Sequence, residues 1–238
     1  MKTGTSVFDP VLKREYYFKR CFRSMGFTLL ELLVVMTIII ILVALLLSAI
    51  FHAKQKAHQI VCAGKLRQWG MATFYYTMDN EDYLPLDGSP NGTSIYGGWY
   101  IDLPPYLGMR PYSQEEWRTN ENQTPDLRQN WFCPSNPRRS NGLNLFHYCL
   151  NEYVNMTGDD NAPIRYATVP LPSKTVWLFD SKNRPAVGYW NFVHTNLHGR
   201  GANILFLDGH VMRYSVESYW DFQENKGIAD NPELIWIP

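Results

Sequence analysis

The sequence predicts an α+β fold: a long N-terminal helix packed on a C-terminal antiparallel β-sheet domain with irregular insertions. Three observations predict it. Residues 26–51, GFTLLELLVVMTIIIILVALLLSAIF, are apolar almost without a break. Residues 52–79 continue with apolar side chains three and four positions apart, the period of an amphipathic helix. Far downstream, the apolar runs 175–179 and 202–207 end on Asp180 and on Asp208-Gly209, residues that stop strands or turn them.

The first element is long enough to cross a membrane, since a helix spans the bilayer core in roughly 20 residues. An ordinary secretory signal has a shorter apolar core, about 7–15 residues, with its cut site after it. Glu31 is the anomaly in this run. A charge at the centre of a membrane helix costs roughly 2.5–3.5 kcal/mol, and less near an end, so the carboxylate calls for a cation beside it. Ahead of the run, residues 1–26 hold Lys2, Lys13, Arg14, Lys19, Arg20 and Arg23 against Asp9 and Glu15, a balance of +4 in a chain of zero formal charge. Lys54, Lys56, Lys65 and Arg67 follow the run, so both flanks are basic and charge alone does not orient the span. No basic tract points to a nucleic-acid partner.

Residues 52–79 read as the same helix continuing outward. Ala57, Ile60, Val61, Gly64, Met71, Phe74, Tyr75 and Met78 form its apolar face. One helix from Phe27 to Asp79 would be about 80 Å long at about 1.5 Å per residue, with Gly64 and Gly70 as the points where it would break. Residues 79–98 are dense in Asp, Asn, Gly, Pro and Ser, and read as loop. The segment 99–150 is aromatic and irregular, with Trp99, Tyr100, Tyr106, Tyr112, Trp117, Trp131 and Phe132 expected to pack inside. Pro170 and Pro172 precede a strand at Thr175–Phe179. Ala202–Leu207 and His210–Tyr214 form a hairpin whose Asp208-Gly209 pair fits a type I′ turn. At the C-terminus Trp236 and Ile237 tuck against the domain. The resulting division is 1–26 leader, 27–51 span, 52–79 helix continuation and 80–238 globular domain.

Four cysteines are present. Cys21 falls in the leader; Cys62, Cys133 and Cys149 allow one disulfide in three pairings, or none. Spacing does not choose among them, and no CxxC pair of the zinc kind occurs. Asp79 and Asp82, in an acidic cluster with Glu81 and Asp87, could ligate calcium, although a solvated turn fits better. His198, Asp208 and His210, near His194, could ligate a metal, although hydrogen bonding that fixes the hairpin fits better. No nucleophile stands beside them in a recognisable motif, so no catalytic residue and no cofactor is expected.

Four stretches together resemble a known family. The basic leader ending in Gly26, followed by Phe27-Thr28-Leu29-Leu30-Glu31, resembles the signal of type IV prepilins and type II secretion pseudopilins. The stretch CAGKLRQWGMATFYYTMDNEDYLP, residues 62–85, resembles the run CxxNLKQxGxAxxxYxxDNxGYxP of one pseudopilin-like group, with Lys65 where asparagine is usual; the Cys-Pro at 133–134, in WFCPSNP, matches the same group's pattern. Nine residues separate His198 from Asp208-Gly209, the H-X9-DG signature of its C-terminal domain. The resemblance implies a pilin-like fold and cleavage after Gly26 by a prepilin peptidase, which also methylates the new amine on Phe27. It implies that Glu31 meets the charged terminus of a neighbouring pilin-like subunit. The chain would then sit in the inner membrane with its domain outside the cytoplasm, as a structural subunit of a type II secretion-like pseudopilus or type IV pilus-like filament. Ser48 stands where that family often has proline, so no kink is expected there. The alternative is a membrane-tethered binding module or metal-dependent hydrolase that never polymerises.

Overall fold

The structure is a computed structural model, and it describes residues 26–94, 97–118, 126, 128–137, 146–154, 163–182 and 185–238. The leader expected at 1–26 therefore lies outside the described residues except for Gly26. By its internal contacts the chain divides into one unit ending at Leu47 and a second, Ser48–Pro238.

A single helix, α1 (Leu29–Asp79), runs without a break through Gly64 and Gly70. Its start has a sequence cause that the reading above missed. Thr28 and Glu31 form a capping box: the Thr28 backbone N–H and hydroxyl donate to Glu31 Oε2 at 2.8 and 2.7 Å, and the Glu31 N–H donates to Thr28 Oγ1 at 3.2 Å. Its far end turns off through Glu81, whose φ is +52°, while the Asp82 N–H reaches back to the Thr77 carbonyl at 2.9 Å. That is a Schellman-type stop built without glycine.

In the second unit, β1 (Tyr148–Asn151), β2 (Val176–Asp180), β3 (Val187–Gly188), β4 (Gly201–Phe206) and β5 (Val211–Ser215) form a sheet in the order β3-β1-β2-β4-β5. The expected sheet was antiparallel throughout; the observed one is mixed, because β3 joins β1 in parallel. β6 (Trp220–Asp221) and β7 (Lys226–Gly227) form a separate two-stranded pair.

Strands β1 to β4 are buried on both faces, while the edge strand β5 is only partly covered. Tyr148, Leu150, Trp177, Leu178 and Leu205 join Leu66, Trp69 and Ala72 of α1 in one core. Cys149, Val176, Phe179, Ala202, Ile204 and Phe206 face a second core with Tyr219, Leu234 and Trp236. Trp177 and Leu178 are consecutive yet share a core, because the β2–β4 register shifts between Val176 and Leu178. A bulge of this kind resets the alternation. Burial on both faces also explains why these strands read as solid apolar runs.

The face of α1 that packs differs from the expected one. Cys62, Lys65, Leu66, Trp69, Gly70, Ala72, Thr73 and Thr77 are buried. Ile60, Val61, Met71, Phe74, Tyr75 and Met78 are exposed, Ile60 at 70% and Met78 at 67%. Gly70 sets this choice. A Cβ there would meet Leu205 Cδ1 at 2.9 Å and Gly209 Cα at 3.3 Å, so the glycine lets the helix and the β4–β5 turn approach. Lys65 enters the core because its ammonium donates to the Gln129 and Phe132 carbonyls at 2.8 and 2.7 Å.

Of the aromatic middle, Trp99, Tyr100, Tyr112, Trp131 and Phe132 are buried as expected, while Tyr106 and Trp117 are half-buried against the same core. Of the C-terminal pair, Trp236 is buried but Ile237 is 63% exposed, which corrects half of that expectation. The β4–β5 turn also differs. Gly209 has positive φ and Asp208 does not; the Gly209 N–H donates to the Phe206 carbonyl and the Phe206 N–H to the His210 carbonyl. This is a type I turn followed by a left-handed glycine, a three-residue loop in place of type I′.

Candidate functional site

Four segments of the second unit converge on one buried point. Cys62 comes from α1, Cys133 from the WFCP segment, Asp180 from the end of β2 and His198 from the loop before β4. Cys62 and Cys133 form a disulfide, Cα to Cα 5.1 Å, which settles the pairing that spacing left open; Cys149 is free and buried. His198 Nε2 lies 3.1 Å from Asp180 Oδ2 and 3.5 Å from Cys133 Sγ. The His198 and Asp180 side chains are fully buried. The contact to a carboxylate assigns the proton to Nε2, leaving Nδ1 as a buried atom with no partner among the described residues.

The backbone is shaped to bring His198 in. The Leu197 and Gly201 amides and carbonyls bond to each other, closing a three-residue loop in which His198, Gly199 and Arg200 all have positive φ. A left-handed conformation costs a non-glycine residue about 1–2 kcal/mol. Arg213 on β5 holds the loop, donating from Nε to the His198 carbonyl at 2.7 Å and from Nη2 to that of Gly199 at 2.5 Å. Asp180 is fixed by the Asn203 N–H, which donates to Oδ2 at 2.7 Å. The Cys133 N–H donates to His147 Nδ1 at 2.9 Å. The electrostatics follow burial: desolvation, then the nearby Asp180 charge, pushes the Tyr148 phenol well up. Burial pulls the His194 imidazole down, with Asp180 acting against it.

The other residues singled out in the sequence lie elsewhere. His198 and Asp208-Gly209 stand at opposite ends of β4, so the nine-residue spacing measures one strand with its turns and does not gather a site. Asp208 Oδ1 accepts from the His210 N–H at 3.0 Å and contacts His210 Nδ1 at 2.6 Å, and the His210 ring stacks on Phe206 at 4.3 Å. Asp79 accepts from the Tyr106 hydroxyl at 3.1 Å, and Asp82 from the Ala167 N–H at 3.0 Å. Among the described residues, the one set of three or more His, Cys, Asp and Glu with metal-holding geometry is Cys62, Cys133 and His198. Desolvation raises the Cys149 thiol well above its ordinary value, so it is a poor nucleophile.

Asp180 was missed in the sequence because an aspartate closing an apolar run reads as a strand terminator. Its signal was the opposite one, a carboxylate with no polar neighbour before it in VWLFD.

At the N-terminus, Gly26 has open space around it and Phe27 is exposed. Glu31 is likewise exposed, and its capping bonds fall on Oε2 alone. The helix it begins is long and apolar enough to cross a membrane, and the apolar window within it is unburied. No protein-family model, no curated protein and no solved structure matches the chain.

Proposed function

We propose that this chain is a prepilin-type structural subunit: cut after Gly26, methylated on Phe27, and assembled with other pilin-like subunits into a type II secretion-like pseudopilus or type IV pilus-like filament. The single observation that carries the reading is α1 itself. Its membrane-length half is exposed among the described residues, and its outer half keeps a second apolar face uncovered there, with Ile60, Val61, Met71, Phe74, Tyr75 and Met78 exposed. A helix used only as an anchor has no need of that second face, whereas a subunit buries it against neighbours. The chain contributes packing surface and performs no bond chemistry.

The alternative, a tethered module or hydrolase that never polymerises, draws on the capping box, which gives Glu31 a local task without any neighbour. Two substitutions separate the readings. Glu31→Gln keeps a capping residue and removes the charge; Thr28→Val removes the cap and keeps the charge. A subunit loses filament incorporation, scored by shearing and cross-linking, in Glu31→Gln and keeps it in Thr28→Val. Incorporation unaffected by Glu31→Gln would sink the charge-pairing reading. N-terminal peptide mass spectrometry on protein from native membranes tests the processing step: a terminus at Phe27 carrying one methyl group is expected.

A further inference from the structure

We propose that, once its disulfide is reduced, this protein binds one zinc ion through Cys62 Sγ, Cys133 Sγ, His198 Nε2 and Asp180 Oδ2. The three cysteine and histidine ligand atoms lie within 4.8 Å of one another, and all three residues are buried. Tetrahedral zinc with Zn–S about 2.3 Å and Zn–N or Zn–O about 2.0–2.2 Å requires ligand edges of about 3.5 Å for S···N and about 3.3 Å for N···O. The structure already has a 3.5 Å Cys133 Sγ to His198 Nε2 edge and a 3.1 Å His198 Nε2 to Asp180 Oδ2 edge. Two sulfurs, one imidazole and one carboxylate form a donor set that suits zinc and excludes calcium or magnesium, which take oxygen shells.

Two outer contacts hold ligands in place. The Asn203 N–H orients the carboxylate, and Arg213 fixes the His198 backbone. The four ligands come from α1, the WFCP segment, the end of β2 and the loop before β4. Zinc would therefore tie together in reducing conditions the same helix and domain that the disulfide ties in oxidising ones.

The chemistry balances with a trialkylphosphine as the two-electron reductant. The S–S bond breaks, phosphorus is oxidised to the phosphine oxide with oxygen from water, and two thiols form. Zinc then displaces both thiol protons, the imidazole proton passes from Nε2 to Nδ1, and the ion takes two thiolates, the neutral imidazole through Nε2 and the carboxylate, leaving the site with one net negative charge.

The test uses the full chain in detergent micelles, oxidised or phosphine-reduced, loaded with zinc, desalted and measured for metal per chain, with circular dichroism recorded alongside. Stoichiometric zinc in the reduced chain, none in the oxidised chain, and at least tenfold weaker zinc retention in His198→Gln are expected. X-ray absorption at the zinc edge of the wild type reads the ligands without relying on any variant. Two sulfurs with two nitrogen or oxygen neighbours support the site; a sulfur-free or all-sulfur shell overturns it. No zinc on the reduced chain overturns it as well, and so does retention that His198→Gln leaves unchanged, which is what two thiolates on an unfolded chain would give.

Discussion

The Cys62–Cys133 bond closes a loop of sequence separation 71 between α1 and the segment that carries Trp131. Replacing both cysteines by alanine frees that loop in the unfolded chain. The chain-entropy relation puts the loss at about 4 kcal/mol for a loop of this size. For a unit of this length, about 2–4 °C of Tm follow each kcal/mol, so a drop of roughly 8–16 °C is expected. The assay is thermal unfolding of the oxidised full chain in detergent, followed by near-ultraviolet circular dichroism. Trp69, Trp99 and Trp131 supply the signal, because their rings pack at 5.0–5.9 Å beside the bridge. Phosphine treatment of the wild type with metal excluded should reproduce the drop, and Cys149→Ala should not. A loss below about 3 °C in the double variant would refute the reasoning, since α1 would then be held by packing alone and the freed loop would already be restrained in the unfolded state.

Three further outcomes follow from particular contacts. Gly70→Ala drives a Cβ into Leu205 and Gly209 and should cost about 1–3 kcal/mol in chemical unfolding; Gly64→Ala meets nothing within 4 Å and should stabilise by about 0.5–1 kcal/mol through helix propensity. His198→Ala removes one of the two donors on the buried Asp180 Oδ2, leaving the Asn203 N–H, and should cost about 1–3 kcal/mol, and adding Asp180→Asn should recover part of it. Burial, opposed by the Asp126 charge, brings the Lys65 ammonium down to about 8. Its folded value is below its unfolded one, so between about pH 8 and about pH 10.4 the unfolded chain holds more protons and stability rises with pH. Urea titrations of wild type against Lys65→Met should show the wild type gaining on the variant across that window, and a gap that is flat with pH would contradict the assignment.

How far the fold could be read from sequence depended on whether a segment has one apolar side or two. The membrane-length run and the strands β2 and β4 were legible because they are apolar nearly all round, the span being exposed among the described residues and the strands being covered on both faces. The outer half of α1 misled for a related reason. Its larger apolar side chains, Ile60, Phe74 and Met78, point outward, while the packed face is built from Cys62, Lys65, Gly70, Ala72 and Thr73 around Leu66 and Trp69. Small and polar residues score as weak periodicity, yet they are what lets a helix lie close on a sheet. β3 was invisible because two residues paired in parallel leave no alternation to count. Of the buried junction, His198 and the cysteines were marked individually, but the pairing is a three-dimensional fact, and Asp180 carried the local appearance of a strand end.

The capping box gives Glu31 a local task, as the tethered reading requires, yet it leaves the carboxylate able to pair with a neighbour as well. A helix that begins in an apolar medium has unpaired N–H groups at its first turn, and each one left unmet costs several kcal/mol there. Thr28 and Glu31 answer part of that demand within the chain. Both donors from Thr28 fall on Oε2. A carboxylate has about four acceptor positions over its two oxygens, so Oε1 remains for a second donor at the exposed N-terminus. A cation arriving at Oε1 would meet a carboxylate already aligned by the helix, and would add its attraction without disturbing the cap. The same geometry makes Glu31→Ala an ambiguous experiment, because it removes cap and charge together. Thr28→Val and Glu31→Gln divide them, and it is the difference between those two variants that assigns a role to the carboxylate.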